Sequence, residues 1–315
     1  MRALSLVLLA APYALFFVLP NRFWFDISIQ IFINAIVAIG LNLLVGLAGQ
    51  ISLGHAGFFA IGAYAAVLLP TYFGIPTLLS MFCAIAIAGL IALSIGRPML
   101  QLRGHYLAMV TLAFGILIYL AINNSSRFTG GPDGIAVPAL HIGDWKMPSA
   151  QRVSGIGIWY LVFYTLLVVA IGFALSIERS AVGRALKAVG STDVGARFSG
   201  LQVAKLKTFI FVVSAVYASA AGVLSAYYSE FTAPDRADFM YSTLLIAMIV
   251  LGGLGSTVGA VVGAVVLTGL PQVLVVFQDY ESAALGLILI LCMIFFRKGL
   301  YPTVANLLRG RRAIP

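Results

Sequence analysis

Apolar residues in this chain come in long runs that neither alternate nor repeat at a single helical face, and short polar or charged intervals divide them. A helix needs about 20 apolar residues to cross the hydrocarbon core of a bilayer. By that measure ten candidate spans follow one another: 4–19, 28–47, 56–72, 77–95, 106–122, 157–177, 208–228, 241–251, 258–277 and 283–296. The eighth is short for a crossing, and a tight GGLGS turn follows it, so counts of eight or nine are also open. A barrel strand alternates between lipid and lumen, which these runs do not. The expected fold is therefore all-α: a polytopic integral membrane helical bundle of about ten transmembrane helices. Residues 1–315 read as one transmembrane domain.

Composition agrees. The chain is 62% hydrophobic and 9% charged, where soluble domains carry about 25% charged residues. Its first run, MRALSLVLLAAPYALFFVLP, has the basic start and apolar core of a signal peptide. Further apolar sequence (LFFVL) follows Ala14 in place of a polar cleavage region, so a retained first helix is expected.

The net charge of +9 raises nucleic acid as a partner, but its distribution points elsewhere. Suppose the charged interval 178–207 faces the cytoplasm and ten spans alternate. Only Arg22, Arg127, Lys146, Arg152 and Arg236 then fall outside, and the remaining Lys and Arg fall inside. This satisfies the positive-inside rule and places both termini in the cytoplasm. The charge reads as topology in a lipid bilayer, with no aromatic-basic patch for nucleic acid.

The interval 178–207 is the one long, strongly charged stretch, carrying Arg179, Arg184, Lys187, Arg197, Lys205 and Lys207 against Glu178 and Asp193. It predicts two short helices. The first covers about 181–189, with Val182, Leu186 and Val189 on one face and Arg184 and Lys187 on another. A second starts after Thr192 as N-cap, with Asp193 in its first turn, and stops at Gly200. Val194, Phe198 and Leu201 share one side of it. Such a loop is either a docking element or a solvated linker lying on the membrane surface.

Inside the membrane, the stretch 40–64 is dense in glycine and small polar residues, with Asn42, Gln50, Ser52 and His55 around an expected helix break. Irregular backbone at membrane depth is tolerated only where protein buries it or it lines a water-filled cavity. These four are candidates for a translocation path; a plain tight turn is the other reading. Gly255, Gly259 and Gly263 recur every fourth residue, as do Ser214, Ala218, Gly222 and Ala226. Both sets read as close-packing faces, mostly internal, with a seam to a second membrane subunit as the alternative. The segment 123–156, with FTGGPDGI, is an outer loop long enough to hold an element of its own, one that caps the pathway or meets an external partner.

No Asp, Glu, Lys or Arg sits centrally in any apolar run, which argues against a proton-coupled carrier and leaves sodium coupling through carbonyls open. His55, His105 and His141 have no partner at catalytic spacing and read as structural. Cys83 and Cys292 lie within apolar runs as packing residues. No catalytic, metal or cofactor site is expected.

Five blocks carry a family resemblance: GLNLLVGLAGQISLGHAGFFAIGAY, RGHYLAMVTLAFG, TGGPDGI, GRALKAVGSTDVGARFSGL and VLGGLGSTVGAVVGA. In this order they resemble the membrane permease subunits of bacterial branched-chain amino-acid ABC importers, and the LivM type more than its LivH-type partner. The likeness covers about 40–263. It implies a non-enzymatic inner-membrane subunit that works with a second LivH-type permease, two cytoplasmic ATPase subunits and a periplasmic substrate-binding protein. ATP would be bound by the ATPase subunits; the chain has no G-x-x-x-x-G-K-[ST] loop of its own. The resemblance further implies that 178–207 is the loop docking into the ATPase. Gly200 matches its hallmark glycine and Ala196 lies in the alanine-containing turn before it, with Arg197, Phe198 and Leu201 alongside. The family often has an acid just before that turn. Here Asp193 stands nearest, and Gly195 inside the helix costs about 1 kcal/mol relative to alanine. The same architecture could import urea or short amides. A stand-alone carrier or channel is the alternative of a different class.

Overall fold

The computed structural model describes residues 21–100, 102, 104–142, 145–151, 153–274, 286 and 299–303. The expected span 4–19, nearly all of 283–296, the end of 258–277, Cys292 and both termini lie outside them.

Six of the described helices are long and apolar enough to cross a membrane. α1 (Arg22–Asn42) continues through a π-helical turn, Leu43–Leu47. α2 is His55–Phe73, α3 Thr77–Met99, α4 His105–Asn124 and α5 Val153–Arg179. The charged interval holds α6 (Ala181–Ser191) and α7 (Asp193–Phe198), and α8 (Val203–Ser229) follows. α9 (Phe239–Gly252) and α10 (Thr257–Leu274) close the described order.

The expected eighth and ninth spans correspond to α9 and α10, which form a pair bent by 119° at a short break. Counted as one broken span, the pair brings the described residues to seven crossings where eight of the ten expected spans fall; the expected spans 4–19 and 283–296 lie outside the described residues. Gly252 and Gly253, with the turn at 254–255, interrupt the helix before Thr257 restarts it. The two arms then cross on glycine. A Cβ on Gly263 would collide with the Met248 carbonyl, and one on Gly252 with the carbonyl of Gly259. Gly255 does not share that face; it sits in the turn and approaches Gly46 of the π-helical turn.

Burial sorts the helices into centre and rim. The apolar window of α1 is 78% buried and that of α8 67%, against 22% for α3 and 28% for α4. α8 packs on α2, α3 and α1, and α1 in turn on α5 and α10. α3 and α4 turn Leu79, Phe82, Leu90, Met109 and Leu117 outward, a surface suited to lipid chains.

The segment 123–156 does hold elements of its own. They are one helical turn (Ser126–Thr129), a 3-10 turn (Gly131–Asp133) and short strands. Ile135 and Ala136 pair antiparallel with Thr232 and Phe231, tying the segment to the chain just past α8. The charged interval lies at the opposite end of α8. At 1.5 Å per residue, the two are separated by about 40 Å of helix.

The glycine crossing leads to a measurable contrast. Gly263→Val should destabilise the protein by about 1–3 kcal/mol, because the added atoms meet backbone that has nowhere to move. The lipid-facing Phe82→Leu should leave the thermal unfolding midpoint in detergent unchanged. Equal midpoints for the two variants would refute the packing argument.

Candidate functional site

The helix break is the first of two linked features. Residues 49–54 are non-helical, so peptide N–H groups that a continuous helix would satisfy need other acceptors. Gly49 and Gln50 donate back to the Val45 and Leu44 carbonyls. Leu53 N–H donates to Thr111 Oγ1 of α4 (3.1 Å), and Ala56 N–H to Ser242 Oγ of α9 (3.1 Å). Asn42 serves the opposing turn, its Oδ1 accepting from Gly255 N–H at 2.9 Å. Gly46 has no room for a Cβ against the Gly255 backbone.

The break reaches well into the bundle. His55 Nδ1 is hydrogen-bonded to Ser52 Oγ at 3.0 Å, and Nε2 to Ser214 Oγ at 2.5 Å. Ser214 lies eleven residues along α8 from Val203, about 16 Å up the helix. His55, for which the sequence offers no partner at catalytic spacing, is fully buried and hydrogen-bonded to these two serine hydroxyls.

Of the four path candidates, the structure joins Ser52 and His55 and places Asn42 apart, on the α9–α10 turn. Gln50 is 2% exposed, and neither polar atom of its amide has a hydrogen-bond partner among the described residues. All four are buried, and none lines the cavities of about 680, 240 and 280 Å³. Between them, Gly49 and Ile51 of the same break are exposed, Ile51 at 47%.

The charged interval is the second feature. Ser180 caps α6, its Oγ accepting from Gly183 N–H at 3.1 Å. Leu186 and Val189 are buried as expected, whereas Val182 is half-exposed. Thr192 holds the N-cap position of α7 but makes no side-chain cap bond. Asp193 instead takes an ion pair with Lys207 Nζ at 2.8 Å, both side chains largely covered, which fastens α7 to the first turns of α8.

α7 ends in a Schellman closure. Leu201 N–H donates to the Ala196 carbonyl and Gly200 N–H to that of Arg197, while Gly200 takes a φ of +78°. The expected apolar side of α7 therefore splits. Leu201 folds back onto a small core of Val189, Ala196 and Val203, while Val194 and Phe198 face out, Phe198 at 88% exposure. Arg197 is exposed beside them.

Backbone contact joins the two features. Gly190, at the end of α6, lies against the Leu47 and Ala48 backbone, and Gly49 lies against Gly190. Glu178 closes the circuit: its Oε1 accepts from Thr257 N–H (3.1 Å) and from the Thr257 hydroxyl. Loop, break and α9–α10 turn thus touch one another. Thr111, Ser214, Ser242, Glu178 and Thr257 were not picked out from sequence as site residues. Ser214 had been read for packing alone, and an isolated hydroxyl in an apolar helix has no periodicity to reveal it.

A family model described as branched-chain amino acid transport system / permease component matches residues 23–296. This chain belongs to that family. Among its relatives, the high-affinity branched-chain amino acid transport system permease protein LivM of Escherichia coli is 32% identical over 269 residues, covering 78% of this chain and 62% of that protein. LivH of Salmonella typhimurium, from a transport system of the same description, is 28% identical over 222 residues, 67% of this chain and 70% of that protein. LsrC of Yersinia enterocolitica, an autoinducer 2 import system permease protein, is 31% identical over 176 residues, 53% of this chain and 47% of that protein. The permease thus spans a little under two thirds of the length of its LivM relative. No solved structure matches it. Family and apolar helices together make it a multi-pass membrane protein of a transport system.

Two substitutions test the local physics. His55→Ala strands two buried hydroxyls and should destabilise the permease by at least about 2 kcal/mol, while the exposed His105→Ala does not, as read by thermal unfolding in detergent. Gly200→Ala forces a side chain into the left-handed region and should cost about 1 kcal/mol, most of it recovered by Gly200→Asn.

Proposed function

We propose that the permease is a membrane-spanning subunit of an ATP-driven importer in the bacterial inner membrane, and that 178–207 is its docking loop on a cytoplasmic ATPase subunit. One observation carries this reading: α7 is anchored on one side and bare on the other. Asp193–Lys207, the Ala196 core and the Gly200 closure fix its inner side, while Val194 and Phe198 form an apolar tip. A solvated linker has no use for a rigid helix that displays phenylalanine. A groove on a soluble partner does.

In this reading two ATPase subunits bind ATP, a periplasmic binding protein delivers the substrate, and a second, LivH-type permease completes the membrane pair. Branched-chain amino acids are the substrate proposed, after the names of LivM and LivH. Movement of the docking loop would act through Gly190 on the break at 48–54 and through Glu178 on the α9–α10 turn. The candidate path at Gln50, Ser52 and His55, whose side chains are buried here, would open as those elements separate. The glycine seam at Gly259 and Gly263 would keep α9 and α10 together as one rigid piece.

Phe198→Asp tests the docking role, because the side chain contributes almost nothing to the permease's own core. The unfolding midpoint should stay within the small range usual for surface changes, about 0.5 kcal/mol. Co-purification of the ATPase and ATP-driven uptake of leucine should fall roughly tenfold or more. Normal ATPase association in this variant would falsify the docking assignment.

A further inference from the structure

A cavity of about 680 Å³ lies outside the break, between the end of α3 and the start of α8. Its rim carries the exposed Arg97, Arg197 and Lys205, and its one carboxylate, Asp193, is engaged by the buried Lys207. The side chains of Arg97, Arg197 and Lys205 have no ion pair or hydrogen bond among the described residues. Further along α3 and α8, away from α7, the lining turns apolar, with the exposed Leu93 one turn up α3 and Phe209 and Val212 on α8. From Lys205 to Val212 the cavity follows α8 for about 10 Å. It adjoins the outward-facing apolar surface of α3, where Leu90 is 62% exposed.

We infer that this cavity binds an anionic glycerophospholipid of the surrounding membrane, with the phosphate among the rim cations and an acyl chain along Leu93, Phe209 and Val212. The order of the lining decides the ligand. A cationic rim alone would suit any phosphate, whereas a cationic rim opening onto an apolar wall at the edge of a membrane-spanning bundle suits a charged head joined to a hydrocarbon tail. A soluble protein partner could reach the rim but would leave the apolar wall uncovered. Because Arg197 belongs to α7 and Lys205 and Lys207 to α8, the bound lipid would brace the docking loop against the membrane. The inference itself requires only that the chain spans a bilayer, so it stands or falls apart from the coupling role.

The test uses the full chain purified in detergent and native mass spectrometry with phosphatidylglycerol and phosphatidylcholine of identical acyl chains. Phosphatidylglycerol should be retained in preference. Arg97→Gln with Lys205→Gln should reduce its retention by about fivefold per cation removed. Lys187→Gln, away from the lining, should not, and Arg97→Lys should bind as the wild type, so that loss in Arg97→Gln reports charge and not folding. Inorganic phosphate should displace no more lipid than chloride of matched ionic strength. Equal retention of the two lipids, wild-type retention by the double variant, or specific displacement by phosphate would each overturn the inference.

Discussion

An interrupted helix surrounded by apolar side chains must find acceptors for the N–H groups it no longer pairs, and water is not there to supply them. The rest of this bundle is arranged around that constraint. The break after α1 takes its acceptors from Thr111 of α4 and Ser242 of α9, and it lends Asn42 to the turn between α9 and α10. His55 adds α8 through Ser214. Four helices distant in sequence are therefore brought to one point by short hydroxyl and amide side chains. Shifting any of them would leave buried donors without partners.

Near one end of the break, backbones also approach closely. Gly46 meets Gly255, and Gly190 meets Leu47 and Gly49. Contacts of this kind have no flexible side chain between the two backbone segments to absorb a displacement. Packed elements joined in this way move together or separate; they do not deform smoothly. That property makes the junction of charged loop, helix break and α9–α10 turn a suitable relay for the proposed transport cycle. A larger residue at Gly190 would separate the loop from the break without touching the exposed Val194 and Phe198.

Much of this architecture was legible in the residues. Run lengths located the membrane helices because hydrophobic length is a local property, and Thr192, Asp193 and Gly200 marked the ends of α7 for the same reason. The glycines and small polar residues of 40–64 marked the break. Hydropathy could not say which helices are central, since lipid and protein interior are both apolar; α1 and α3 read alike although one is 78% buried and the other 22%. Nor could it show that 241–251 and 258–277 form a bent pair, which depends on glycine faces meeting across a turn. Thr111, Ser242 and Thr257 became recognisable only once their distant partners were in place.

The charged loop joins these two levels. A six-residue helix has no stability of its own, so α7 exists because other parts of the chain hold it. The Gly200 closure ends it, the core of Val189, Ala196 and Val203 seats it, and Asp193 ties it to Lys207 at the root of α8. The acid that the family resemblance placed near the docking turn thus works inward, toward α8, and leaves the outer face to Val194 and Phe198. Under the proposed coupling, a partner pulling on Phe198 would act on a body with two firm exits. One runs through Asp193 and Lys207 into α8 and the other through Gly190 into the break, and both lead to the two ends of the His55–Ser214 hydrogen bond.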